Sequence, residues 1–259
     1  MSRSNPTDNS PNPSTRWYEW DGSNGEIRYF DKEAKSLKDP TKKGANIPVK
    51  MPFGFILLDE TAIIKGWHDA SDSGIFSNEV RDTRAEPLLV KSFKGGLLAE
   101  GFYSAIRDRV AAHGGHFTTN LYIGYKDAQG NLQIGSLQLK GASLNSWVEF
   151  RKANRVDVYK KAIVITGYVE GKKGKIVFRT PVFAIKDISE KADTEAKALD
   201  QLLQHYLKGY FARTATDKVA RPAAPAEGVQ EHPEEVPQEE PEPEEPPTRV
   251  IDDEDVPFN

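Results

Sequence analysis

Phe117-Thr-Thr-Asn-Leu-Tyr-Ile-Gly-Tyr-Lys126, then Asp127-Ala-Gln-Gly130, then Leu132-Gln-Ile-Gly-Ser-Leu-Gln-Leu-Lys140 is the stretch on which the fold turns. Phe117, Thr119, Leu121, Ile123 and Tyr125 alternate with Thr118, Asn120, Tyr122, Gly124 and Lys126. A period of two marks a strand with one apolar face, and the Asp/Gly-containing turn predicts that the chain returns as a hairpin. In the returning strand the apolar phase shifts from Leu132 and Ile134 to Leu137 and Leu139 across Gly135-Ser136. Such a slip at glycine predicts a β-bulge or a barrel corner.

Outward from this hairpin, strand signals dominate. Phe53–Leu58 and Ile63–Trp67 flank Asp59-Glu60-Thr61, which reads as a tight connection, and Ala162–Val169 and Ile176–Ile185 flank Gly171-Lys-Lys-Gly174 as a second hairpin. Helices are fewer. Leu98, Phe102, Ile106 and Val110 recur every four residues in a helix ending near His113-Gly114-Gly115. Ser143 is placed to cap a short helix burying Leu144, Trp147 and Val148, and Ser189 begins a third, through Ala198, Leu202, Leu203, Tyr206 and Leu207. The pattern predicts a mainly β chain with a few helices (α+β), built as a small closed or partly closed β-barrel. An antiparallel sandwich is the alternative.

Composition divides the chain into zones. Residues 1–15 are a Ser/Asn/Pro-rich arm, expected to be disordered and to be neither signal peptide nor anchor. Residues 16–188 form the body and 189–213 a C-terminal helix; 214–248 are a Pro/Glu-rich linker, expected to be disordered, and 249–259 an acidic tip. The formal net charge of −4 averages over this division. Residues 221–259 hold 13 acids and two bases, −11, while residues 1–220 hold 33 bases and 26 acids, +7. A basic body with an acidic tail points toward a polyanionic partner. With no cysteine the chain has no disulfide, zinc–thiolate site or thiol nucleophile. No apolar run has membrane-spanning length.

Catalytic signatures are missing, and the protein is expected not to be an enzyme and to need no cofactor or metal. There is no phosphate-binding or dinucleotide-binding glycine motif. Asp69-Ala-Ser71-Asp-Ser73-Gly74 begins like a calcium loop, but Val80 holds the position that needs a bidentate acid. His113 and His116 have no local third ligand, so they read as loop histidines. The positive signal is basic residues interleaved with aromatics on strands. Lys65 and Trp67 share a strand face; Trp67 either fills the core or faces solvent. Tyr122 and Lys126 are expected on the outer face of their strand, with Lys140 continuing it on the partner. Tyr168, the Lys172-Lys173 tip and Arg179 add a second group. Rings that stack on bases and cations that follow phosphates suit single-stranded nucleic acid.

The tail closes with Asp252-Asp253-Glu254-Asp255-Val256-Pro257-Phe258, then Asn259: four acids for a basic partner and an apolar group for a pocket. This resembles the acidic tip of bacterial single-stranded DNA-binding proteins, in which phenylalanine is the last residue. The body is similar to the single-stranded DNA-binding proteins of tailed bacteriophages through Ile63–Val80, Phe93–Gly101 and Leu139–Phe150. The resemblance implies an OB-fold-like, partly open barrel and sequence-tolerant binding of single-stranded DNA. It also implies recruitment of replication, recombination or repair proteins through the tip, in the cytoplasm of an infected cell. Asn259 departs from the pattern, so a phage-encoded partner or a pocket tolerating one more residue is expected to read the tip.

Overall fold

Strand β4, Phe53–His68, runs for 16 residues without a break and organises the rest. The computed structural model describes residues 11–35 and 43–219, with side chains over 11–31 and 45–214. Before β4 come β1 (Arg16–Asp21), β2 (Glu26–Lys35) and β3 (Lys43–Val49); after it come β5 (Ser73–Ser77), β6 (Leu88–Ser92), β7 (Gly96–Gly101) and α1 (Tyr103–Ala112). Then follow β8 (Gly115–Lys126), β9 (Leu132–Lys140), α2 (Ala142–Ala153), β10 (Ala162–Lys173), β11 (Ile176–Lys186) and α3 (Glu190–Val219). The protein is mainly β: the strands form one 11-stranded sheet in the order β3-β2-β1-β9-β8-β4-β5-β6-β7, with β10 also paired to β4 and β11 to β10. The sheet is not a closed barrel, since among the described residues β11 pairs only with β10.

The predicted tight connection at Asp59-Glu60-Thr61 is instead the middle of β4, where a bulge lies between Leu57 and Asp59. Its polar residues are held by cross-chain partners: Asp59 accepts from Arg81 at 2.7 Å and from Gln204 at 2.9 Å, and Glu60 is ion-paired to Arg151. Acids that look like a turn are tolerated mid-strand when each is paired.

The anticipated bulge at Gly135-Ser136 is absent; β8 and β9 stay in register from Thr118↔Lys140 to Lys126↔Leu132. The apolar phase changes because the hairpin passes between two cores. Leu121, Ile123, Tyr125, Leu137 and Leu139 face the main core, shared with Tyr18, Trp20, Phe55, Trp147 and Ile163. Tyr122 and Ile134, on the other face, lie beneath α3 with Ile56, Leu58, Leu203 and Leu207. A third core joins β5, β6, β7 and α1 into a lobe through Ile64, Ile75, Leu88, Val90, Ile106 and Val110.

Helix boundaries also move. Leu98 belongs to β7, so the first helix begins at Tyr103 rather than near Leu98. Ser143 lies inside α2, where its hydroxyl donates to the Lys140 carbonyl at 2.8 Å and caps nothing. Ser189 does cap α3, accepting from the Ala192 N–H at 3.3 Å. That helix runs to Val219, six residues past the expected boundary at 213, so 214–219 are helix rather than linker.

Because Leu203 and Leu207 are fully buried against the sheet, α3 is part of the body and not an appendage. Leu207→Ala is expected to lower the stability of the whole protein by about 2–5 kcal/mol in urea unfolding. An unchanged midpoint would show that α3 docks without contributing.

Candidate nucleic-acid interface

Strand register collects one row of side chains on the face away from the main core. On β4 these are Asp59, Thr61, Ile63, Lys65 and Trp67, opposite Tyr122, Asn120, Thr118 and His116 on β8. The row continues through Ser136, Gln138 and Lys140 on β9 and Trp17 and Glu19 on β1. Phe76 extends it on β5, opposite Lys65, and Arg28 on β2, opposite Glu19. Helix α3 covers only the end of this face around Tyr122 and Ile134.

Glu79 marks the boundary. Its carboxylate accepts from the Thr61 hydroxyl at 2.6 Å and from the Tyr122 hydroxyl at 2.8 and 2.9 Å, and its N–H donates to the Tyr210 hydroxyl at 2.7 Å. Burial, with Glu79 beside it, pushes the Tyr122 phenol pKa far above the ordinary tyrosine value. Tyr122 is therefore wholly enclosed and cannot stack on a base, contrary to its expected outer position. The alternation of β8 places it away from the main core correctly, but α3 fills that side.

Beyond Glu79 the face is open among the described residues. Its floor is buried and mostly polar: Thr118, Asn120 and Ser136 beside Ile63, with Ser136 donating to Asn120. Over the floor, the Lys65 ammonium donates to the Gln138 side chain at 2.8 Å. Desolvation lowers the Lys65 pKa from the ordinary lysine value, with Glu19 opposing and Lys140 adding to the effect. His116 is lowered for the same two reasons, desolvation first and then Lys140. Lys65 and Lys140 thus form a pair of cations, with His116 beside them.

Aromatic rings flank this group. Trp67 is 54% exposed, which decides its position in favour of solvent, and Phe93, in the β6–β7 turn, is 76% exposed. Phe93 stacks on Phe76 with centroids 4.6 Å apart. Trp67 is held from behind by the α1–β8 turn: Gly114 has φ of +83°, and a Cβ there would lie 2.3 Å from the Trp67 carbonyl oxygen. Only glycine allows that approach without strain. On the β1–β2 side, Trp17 is 51% and Phe30 59% exposed.

The other expected residues lie elsewhere. Lys126 ends β8 ten residues from His116, about 33 Å along the strand, and lines a cleft with Ser189, Lys191 and Glu195. Lys172 and Lys173 are exposed within β10 rather than in the turn, which is Gly174-Lys175. The Arg179 guanidinium lies 5.5 Å from the ring of Tyr168, pairs with Glu170 at 3.0 Å and donates to the Ser23 carbonyl. The Arg179 backbone donates to Gly22 at 2.8 Å and accepts from the Trp20 indole at 2.8 Å. Arg179 therefore clasps the β10–β11 ribbon to the β1–β2 turn and is engaged structurally. Of the expected set, the structure brings together Lys65, Trp67 and Lys140. It groups Tyr168 and Arg179 separately, and Asp252–Phe258 lie outside the described residues.

Sequence reasoning missed Trp17, Phe30, Phe76, Phe93 and His116. The signal in Arg16-Trp-Tyr-Glu-Trp-Asp21 was readable, since Trp17 and Glu19 alternate with Tyr18 and Trp20. Nothing local marks Phe93, whose position depends on the lobe. His113 packs edge-on against His68 at 5.3 Å, away from the strand pair that holds His116. Among the described residues no three His, Cys, Asp or Glu side chains gather as a metal site would require. No described helix is long and apolar enough to cross a membrane.

Comparison with protein-family models, with curated proteins and with solved structures finds no match for this chain.

Tyr122→Phe removes one of the hydroxyls donated to the Glu79 carboxylate. It is expected to cost about 1–3 kcal/mol of stability and to leave nucleic-acid binding unchanged, by urea unfolding and fluorescence anisotropy respectively. A loss of binding with intact stability would mean that the covered half of the face opens.

Proposed function

We propose that the protein is a non-catalytic, sequence-tolerant single-stranded DNA-binding protein of the kind encoded by tailed phages, acting in replication, recombination or repair. One observation carries the reading: the uncovered half of the sheet face presents exposed Trp17, Phe30, Trp67 and Phe93 around Lys65, Lys140 and His116. An apolar face left open would aggregate, and a purely charged one would not need four large rings. Rings for bases with cations for phosphates suit both features.

The connectivity supports an OB-fold-like core. β4, β8 and β9 form a meander, α2 follows, and β10–β11 returns to pair with the first half of β4, giving the order β11-β10-β4-β8-β9. In such folds the face of the second and third strands and the flanking loops bind oligonucleotides; here those strands are β8 and β9. The place beside β9 is taken by β1, in parallel register from Arg16↔Gly135 to Glu19↔Gln138.

The acidic segment Asp252-Asp253-Glu254-Asp255 with Val256, Pro257 and Phe258 is proposed to recruit replication or recombination proteins, since its charge opposes that of the body and its apolar end suits a pocket.

Oligothymidylate is expected to bind with a salt dependence set by the number of phosphates contacted, and Lys140→Ala should reduce the slope of log affinity against log salt by about 0.7. Failure of the wild-type protein to bind any single-stranded oligonucleotide at low salt would overturn the reading. pH supplies a second test. In the free protein the pKa of His116 is lowered, so near neutral pH it adds no charge. Acidification through and below the ordinary histidine range of about 6.5 protonates it, and neighbouring phosphates favour the protonated form. Affinity should therefore rise as pH falls, and His116→Gln should flatten that rise. An unaltered profile in the variant would remove His116 from the interface.

A further inference from the structure

The three strands β1–β3 precede the OB-like core and contribute little that the core itself needs on its outer side. Their inner side chains Tyr18, Trp20 and Ile27 complete the main core. On the outer side, Tyr18↔Tyr29 pairing leaves Trp17 and Phe30 at the next rung, both more than half exposed. A solvated edge sheet has no packing reason to display an indole and a phenyl ring side by side. Arg28, on the same outer face, is already neutralised by Glu19 at 2.7 Å and Asp21 at 2.8 Å. The pair is therefore a stacking surface that lacks a free cation of its own among the described residues.

We infer that Trp17 and Phe30 form a second nucleobase station, separate from the Trp67–Phe76–Phe93 station on the lobe, and that one strand of DNA spans both. This rests on the reading of the open face as a single-stranded DNA site. The register sets the spacing. Trp17 is level with Ser136, Ser136 with Tyr122, and Tyr122 with Asp59, three strands across the sheet from Trp17. Trp67 lies eight residues further along β4. Three strand spacings are about 14 Å and eight residues about 26 Å, so the stations are about 30 Å apart along the sheet. Gln138, Lys140, His116 and Lys65 lie on β9, β8 and β4, the strands crossed between them. A stacked strand advances about 3.4 Å per nucleotide and an unstacked one about twice that, so bridging the stations takes roughly five to nine nucleotides. The lysine–histidine group in the middle meets the phosphates, and the two ends meet bases. Oligonucleotides shorter than the gap occupy one station only.

Two variant pairs and two oligothymidylate lengths test this, one of about four and one of about 16 nucleotides, the span of site sizes seen for such domains. Trp17→Ala with Phe30→Ala, and Trp67→Ala with Phe93→Ala, should each weaken the longer oligonucleotide by at least about fivefold. At most one pair should weaken the shorter one, and the Trp17/Phe30 pair should leave the salt slope unaltered. Equal weakening of both lengths by both pairs would show one continuous site and overturn the inference while leaving DNA binding in place. So would loss-free binding of the longer strand by the Trp17/Phe30 variant. Absence of wild-type binding at either length would instead overturn the function on which it rests. A Trp67→Phe protein supplies a readout without truncation at the first station: Trp17 is then its exposed indole, and the longer oligonucleotide should quench it. Unchanged emission at saturating DNA would contradict a base stacked there.

Discussion

A 16-residue strand shared between two sets of neighbours has more face than one core can cover, and the rest of this structure follows from how that surplus is handled. β4 gives one side to the main core and the lobe core. On the other side, α3 covers the end near Ile56 and Leu58, and Tyr210 of the helix meets Glu79 there. What remains must tolerate water, so its floor is mostly Thr118, Asn120 and Ser136, beside Ile63, and over it lies the Lys65–Gln138 pair. The boundary at Glu79 is both a stabilising network and the edge of the open surface. Structure and candidate function meet at Glu79: its carboxylate holds Thr61 and Tyr122 of the sheet, and its backbone N–H holds Tyr210 of α3.

Elements with one buried face were legible in the sequence. The alternation of Phe117–Tyr125 identifies its core side correctly, and the spacing of Leu144, Trp147 and Val148 identifies a buried helix face. Elements with two buried faces were not. In β9 the change of apolar phase at Gly135-Ser136 looks like a bulge, because a period-two pattern cannot distinguish a slip from a second core arriving on the other side. Asp59-Glu60-Thr61 misleads for a related reason: its charges are satisfied by Arg81, Gln204 and Arg151, all distant in sequence.

The candidate site was half legible. Lys65 and Lys140 were identifiable from strand parity, whereas parity put Trp67 on the face of Lys65 and left open whether it fills the core or faces solvent, which its exposure decides. Tyr122 obeys the same parity and is buried, because parity gives the face and not what covers it. Arg179 has the right charge and neighbourhood, yet its backbone and guanidinium are occupied in joining the ribbon to the β1–β2 turn. Phe76 and Phe93 meet only because β5, β6 and β7 fold into a lobe, and no local pattern reports that. The +7 charge of residues 1–220 spoke for a polyanion but not for a location on the surface. The open half of the sheet face is the proposed location.

Photo-cross-linking of a bromodeoxyuridine-substituted oligonucleotide, with the adducts mapped by mass spectrometry, tests the central claim most directly. Adducts on Trp67 and Phe93, together with Trp17 or Phe30, are the predicted result. Adducts confined to the β10–β11 ribbon around Tyr168, or to the α3 surface, would place the DNA on another face and contradict the account.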